Sequence, residues 1–485
     1  MSGHETPSAI ARAGVGPVRR TNRARTVGAL ALALAMAVGV LVSAVLWGQP
    51  SVGPGSPSTT RGGAPPRALE AAITVPATPV GRQLDWLLGT TARLPLSDSE
   101  ISAHFDETFL AAVTPTQLNS ALAGLGPPGP MTLLGVFEAG PTSLEGTVAV
   151  GSSRYSVLLS VDQAGLIDGL VFRSAAQSLT TWSAVDRQIS AIAPRVSFLA
   201  ARVRADGTCA TVNSISAGTP RPLGSMFKLF VLGALANEIR DHRLSWTQKV
   251  TVTGAIKVGG SGTLQDEPDG TTLSVEQAAI KMISISDNTA ADLLLSLVGR
   301  AAVEHQVERW ASHPSLDIPF LTVSELFALK YDDFPKLADH FLSLGPSARA
   351  AYLRSTIDAV PVGAEVAVSS PRDVDTIEWF ASPDDLCRAF VGLRSLRAER
   401  GLGPIGTVLS VNDGGIDLSA SLWPTVWFKG GSEPGVLTLG YLARDNKGQT
   451  FVVVVMIDNP TDAFNEQATA LQLLGVVAGA FDLLR

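Results

Sequence analysis

Ser225 and Lys228 stand three residues apart in Ser225-Met226-Phe227-Lys228, at the head of an apolar, Leu- and Ala-rich run that reaches Ile239. A serine hydroxyl is a weak nucleophile until a neighbouring base takes its proton. Residues three apart on a helix share a face, and Pro222-Leu223-Gly224 marks a break before the serine. Ser225 is therefore expected at a helix start, where unpaired N–H groups and the helix dipole favour developing negative charge. Lys228 lies among Met226, Phe227, Leu229 and Phe230, and desolvation in such company lowers a lysine pKa. The two residues read as a nucleophile and its proton acceptor. Alone, the string also describes a helix-capping serine with a solvated lysine.

Two further strings narrow the chemistry. Ser286-Asp287-Asn288 lies between helical patterns over 275–285 and 290–298. All three residue types are good helix caps, so capping and catalysis compete for this string. Lys429-Gly430-Gly431 follows the extended apolar run Thr425-Val426-Trp427-Phe428, and glycines in a strand let a ligand approach its backbone. The chain holds eight lysines, and two fall in these strings.

The set resembles the Ser-x-x-Lys, Ser-Asp-Asn and Lys-Thr-Gly elements of class A β-lactamases and penicillin-binding proteins. The 61-residue step from Ser225 to Ser286 and the flanking text Thr289-Ala290-Ala291-Asp292 fit that family. The resemblance implies that Ser225 is acylated, that Lys228 accepts its proton and that Ser286 relays a proton to the leaving group. It implies that Asn288 positions the substrate and Lys228, and that Lys429 supplies positive charge beside Ser286. With Gly430, Gly431 and Ser432, these residues would line the substrate site. The backbone N–H groups of Ser225 and Ser432 would form the oxyanion hole, commonly a large part of such catalysis.

Two departures qualify the match. Gly430 stands where the family carries Thr or Ser, a hydroxyl that helps hold a substrate carboxylate; Ser432 is expected to replace it in part. No Glu-x-x-Leu-Asn string follows Ser286 to activate a deacylating water. Glu365, Asp373, Asp375 and Glu378 lie in the right region, yet none matches and none is carried over as general base. Ser286 and Lys429 are 143 positions apart, and the surplus over compact family members falls in a helical insertion at about 321–360.

The elements that must hold these residues read as two units. Residues 81–178 carry helical patterns and then alternating segments, an α+β unit with a weak resemblance to cystatin-like or nuclear-transport-factor-like cone folds. A spacer or docking role is expected for it. Residues 179–485 open with a helix and two strands, continue through helices, and close with two strands at 435–444 and 449–458 and a terminal helix. That order predicts an α/β sandwich of the β-lactamase/transpeptidase type whose sheet pairs distant segments. The layout resembles the two-domain β-lactamase-like proteins of actinobacteria, which include an esterase-like member of the clavulanic acid pathway.

Ahead of these units, residues 1–26 are basic and 27–47 form an uncharged apolar run of 21 residues. That length spans a bilayer, and the preceding arginines orient the body outward. An uncleaved signal anchor fits the length better than a cleaved and secreted form. The Pro/Gly/Ser-rich segment 48–80 reads as a tether. The expected location is thus the bacterial cell membrane, single-pass, with an extracytoplasmic body.

The net charge of −7 and the lack of a basic stripe in the body argue against nucleic acid. Six scattered histidines give no metal-ligand spacing, so no metal or cofactor is expected. Cys209 and Cys387 are the two cysteines, and nothing in the sequence brings them together; no bridge is expected. Two functional readings result. One is a serine hydrolase forming an acyl-enzyme on an ester, amide or β-lactam, with D,D-peptidase-like action on cell-wall peptides nearest to it. The other is a catalytically weak envelope protein that binds penicillin or peptidoglycan.

Overall fold

The stretches richest in apolar residues near the C-terminus become the middle of the main sheet. The computed structural model describes residues 74–151, 153–174, 179–360, 369–416 and 418–485. The basic tail, the apolar run 27–47 and residues 48–73 of the tether lie outside these residues. Among the described residues no helix is long and apolar enough to cross a membrane.

The N-terminal unit packs four helices, α1 (Pro79–Leu88), α2 (Asp98–His104), α3 (Glu107–Ala112) and α4 (Pro115–Gly124), on a four-stranded antiparallel sheet. Its strands β1 (Thr132–Ala139), β2 (Ser143–Val150), β3 (Ser153–Val161) and β4 (Ile167–Ser174) pair in sequence order. Burial alternates along β2 and β3, as expected when one face meets a core and the other meets water. Leu84, Phe105, Leu118 and Leu122 cover that face. The sequence reading passed over α3, six residues long and too short for a periodic signal; Asp106 caps it, accepting from the Phe109 N–H at 2.7 Å.

The C-terminal unit opens with α5 (Trp182–Ser190). Its sheet is built from β5 (Arg195–Val203), β6 (Cys209–Ile215), β7 (Thr425–Glu433), β8 (Val436–Arg444) and β9 (Thr450–Asp458), in the spatial order β7-β8-β9-β5-β6. The sheet therefore joins both ends of the unit. Every residue of β9 is buried, because both faces are covered. Val452, Val454 and Met456 face a helical layer; Val453, Val455 and Ile457 face α5 and the terminal helix.

That helical layer contains α6 (Lys228–Arg240), α7 (Val275–Ser284), α8 (Asn288–Val298), α9 (Arg300–Trp310), α10 (Val323–Tyr331), α11 (Lys336–Ser343), α12 (Pro346–Ser355), α13 (Pro383–Arg397) and α14 (Pro404–Ser410). The terminal helix α15 (Glu466–Leu484) lies on the opposite face of the sheet. Its Leu471 also packs on the core of the N-terminal unit, and Gln472 donates to Ser153 Oγ at 3.3 Å.

One expectation is overturned here. Cys209 and Cys387 form a disulfide, with Cα atoms 6.5 Å apart across 178 positions of sequence. The pairing arises because β6 is the edge strand and α13 lies against it. No local spacing could have announced it.

Candidate active site

Ser225 sits in a 3₁₀ turn, Gly224–Phe227, that runs directly into α6. It therefore precedes the α-helix by one turn instead of starting it. Phe227 stacks on Trp379 with ring centroids 3.7 Å apart, which fixes the turn from behind. From the other side the turn meets β7. A Cβ on Gly224 would stand 2.7 Å from Ser432 N, and one on Gly431 would stand 2.2 Å from Leu223 O and 2.6 Å from Ser225 N. The glycine at 431 thus serves the approach of the nucleophile's own turn, where the sequence suggested room for a ligand. The same approach brings the N–H groups of Ser225 and Ser432 to one end of the cleft.

Lys228 occupies the first position of α6 and is fully buried. Its Nζ lies 3.0 Å from Ser225 Oγ, 2.5 Å from Ser286 O, 3.2 Å from Ser286 Oγ and 2.7 Å from Asn288 Oδ1. Burial lowers its pKa to about 7, against the opposing pull of Asp287 and Asp292. The contacts suit a neutral amine. Two N–H bonds go to Ser286 O and Asn288 Oδ1, which can only accept, and the lone pair is left facing the hydroxyls.

Ser286 has φ of +56°, a left-handed conformation that a non-glycine residue holds only when its surroundings fix it. The fixing groups are its neighbours. Asp287 caps α8 through the Ala290 N–H at 2.8 Å, and its other oxygen accepts from Thr263 and Leu264 N–H at 2.7 and 2.9 Å. The Asn288 N–H donates to Ser261 O at 3.0 Å, and its side-chain amide donates to Gly259 O at 2.9 Å. Capping and site geometry are therefore the same set of bonds. They turn Ser286 Oγ toward Lys228 and Lys429, whose Nζ lies 3.0 Å away. Lys429 is fully buried, and its pKa is held well below the usual lysine range by burial and then by the charge of Lys228.

Strand alternation sorts the rest of the third string. Lys429, Gly431 and Glu433 face the helical layer, whereas Phe428, Gly430 and Ser432 face α15, opposite Leu439 and Leu437. Gly430 contributes its carbonyl, which accepts from Lys429 Nζ at 2.5 Å. The Ser432 hydroxyl meets the carboxyl of Glu466 on α15, and burial, partly offset by that contact, raises the pKa of Glu466. The strand period thus turns this hydroxyl to the α15 face of an edge strand, although Ser432 also lines the cleft. What Ser432 brings to the cleft is backbone.

Ser225, Ser286 and Asn288 line an open cleft of about 650 Å³, mouth included, while Lys228 and Lys429 lie behind it. Among the described residues no cluster of His, Cys, Asp and Glu is placed to hold a metal ion.

Residues 189–325 match the family model of the β-lactamase enzyme family. That match lies within the C-terminal unit and takes in Ser225, Lys228, Ser286 and Asn288. Residues 75–167 match the model of the ORF 12 gene product N-terminal region. The chain is 35% identical over 80 residues to the β-lactamase VEB-1 of Pseudomonas aeruginosa, a match covering 16% of the chain and 27% of that relative's length. It is similar to a solved β-lactamase of Sphaerobacter thermophilus, at 20% identity and a TM-score of 0.44, covering 63% of this chain and 99% of that one. A structure of PBP-A is similar at 16% identity and a TM-score of 0.41, covering 64% of this chain and 99% of that one.

Around the cleft stand charged residues to which the sequence assigned no part. Lys330, at the end of α10, is fully buried and reaches both Glu433 oxygens at 2.7 and 2.8 Å. Glu378 Oε2 accepts from the N–H groups of Gly224 and Trp379 at 3.2 and 2.8 Å. Burial and then the neighbouring Glu433 charge push its pKa well above the usual carboxylate range. The signal for Glu433 was present, since it shares the strand face of Lys429. For Lys330 there was none, as 103 positions separate it from its partner. The other acids considered near Glu378 lie elsewhere: Asp375 pairs with Arg195 at 2.8 Å, and Glu365 is outside the described residues.

Proposed function

We propose that this chain is an extracytoplasmic serine hydrolase that forms an acyl-enzyme at Ser225 on an ester, amide or β-lactam. The observation that carries the reading is the buried Lys228 amine, with a pKa of about 7, lying 3.0 Å from Ser225 Oγ. Lys228 takes the serine proton as Oγ bonds to the substrate carbonyl carbon. The N–H groups of Ser225 and Ser432 receive the charge that develops on the carbonyl oxygen. The bond to the leaving oxygen or nitrogen then breaks, and the proton passes from Lys228 through Ser286 to that atom. Asn288 orients Lys228 and substrate, and Lys429 orients Ser286. Water then adds to the acyl carbonyl, releases the acid and restores Ser225.

The external location is supported by the basic segment before the apolar run 27–47, read as a membrane anchor, and by the Cys209–Cys387 disulfide, which belongs to oxidising compartments. The N-terminal unit would then act as a spacer or docking body. A second reading, a penicillin- or peptidoglycan-binding protein with weak turnover, is favoured by one observation. Of the carboxyls lining the cleft, Glu378 is tied to two backbone N–H groups and Glu433 to Lys330, so neither is placed as a free base for water.

Incubation of the full-length chain with a fluorophosphonate, a fluorescent penicillin and p-nitrophenyl esters, followed by intact mass, tests both readings. A single adduct absent from Ser225→Ala is expected. Ester turnover supports the hydrolase, and an adduct that persists for hours supports the binding protein. No adduct and no turnover above Ser225→Ala would sink the acyl-enzyme reading.

A further inference from the structure

The cleft has a corner that the acyl chemistry leaves unused. Part of its lining is formed by Phe327 and Tyr331 of α10, by Trp379, and by Glu378 and Glu433. The charged groups here are closed on one another. Lys330 gives its Nζ to both oxygens of Glu433, and Glu378 Oε2 holds the Gly224 and Trp379 N–H groups, while the nearby Glu433 charge adds to burial in raising the Glu378 pKa. Arg372 stands behind this wall, where it donates to Lys330 O at 3.0 Å and covers the rings of Tyr331 and Phe334.

No lysine or arginine lines the cleft among the described residues. Lys228 and Lys429 behind it are fully buried and engaged with Ser286, Asn288 and Gly430. The Ser432 hydroxyl faces α15. A substrate carboxylate entering this corner would give up its water, meet carboxyl oxygens and aromatic rings, and find no cation without a partner. A neutral group loses little hydration there and gains apolar contact.

We propose that the Lys330–Glu433–Glu378 cluster makes this an acyl site for neutral substrates, selecting against those with a carboxylate beside the scissile carbonyl. The inference rests on the acyl-enzyme reading and names the substrate class of the same site. Within it Glu433 is a specificity-determining residue, and Lys330 holds it by both oxygens.

The test uses the full-length chain and two matched pairs of acylating agents: benzylpenicillin methyl ester against benzylpenicillin, and p-nitrophenyl methyl succinate against p-nitrophenyl succinate. Adduct formation at Ser225 is timed by intact mass, with a fluorophosphonate as reference. The neutral member is expected to acylate at least about tenfold faster than its acid, since the acid gives up its water with no unpartnered cation to receive it. Glu433→Gln leaves the Lys330 ammonium without its counter-charge and is expected to lower that ratio by about tenfold. The wild-type ratio decides even where the variant does not fold. A fluorophosphonate adduct together with a neutral member no faster than its acid in either pair overturns this inference alone. No adduct from any reagent overturns the acyl-enzyme reading beneath it. An unchanged ratio in a Glu433→Gln protein that still takes the fluorophosphonate removes the cluster as the selecting element.

Discussion

Lys228 and Lys330 are two lysines with no exposed surface at the edges of one cleft, and they are handled in opposite ways. Lys228 meets only neutral acceptors, a carbonyl, an amide oxygen and two hydroxyls, so burial wins and its pKa falls to about 7. Lys330 meets a carboxylate with both oxygens and is held as an ion pair. Equal burial yields an amine of lowered pKa in one corner and a counter-ion in the other, and the partner decides which. The rule transfers to other sites: a buried lysine is read from what its nitrogen touches, and desolvation alone does not assign its role.

The contrast can be broken by removing each amine in turn. The largest effect is expected from Lys228→Ala. Loss of the proton acceptor should slow acylation of Ser225 by about 10²–10⁴-fold, measured as the rate of fluorophosphonate or p-nitrophenyl ester attack. Urea unfolding should show little loss of stability, because the amine has no buried counter-charge in contact. A rate within tenfold of the parent would remove Lys228 from the chemistry.

Lys330→Met should do the reverse. It leaves Glu433 without its cation and is expected to cost about 3–5 kcal/mol of folding free energy, read from the urea midpoint. Lys330→Met combined with Glu433→Met should recover most of that loss, since a buried ion pair is often replaced by apolar residues without penalty. Equal stability of single and double variants would mean that the pair does not matter to the fold.

The smallest effect sharpens the Lys228 half. Its active form is the neutral amine, which gains population as pH rises through about 7. The acylation rate should therefore climb with pH and level off above that value. At one unit below the pKa it should stand at about one-tenth of its plateau. A rate that is flat or falls between pH 6 and 8 would show that Lys228 does not carry the proton.

The legible parts of the site were the local ones. Ser225 and Lys228 share a helix face, and Ser286-Asp287-Asn288 was recognisable both as a cap and as a catalytic string. The capping reading holds, and the same Asp287 cap turns Ser286 toward Lys228 and Lys429. The four strands of the N-terminal sheet and the two at the C-terminus were visible by alternation or by unbroken apolar runs. The face of Ser432 could have been inferred from the strand period and was not. The short helix Glu107–Ala112 left too few residues for a pattern.

What the sequence determined by itself is which residues make up the candidate site, because its parts are set by spacings of three residues within a turn and by short strings at helix and strand ends. The tertiary structure alone decided the Cys209–Cys387 bridge, the packing of Gly431 on the nucleophile's turn, and the Lys330–Glu433–Glu378 corner. These join residues far apart in sequence that lie on different elements of the fold. Local propensity and periodicity carry no information about which distant side chains will meet when two such elements pack.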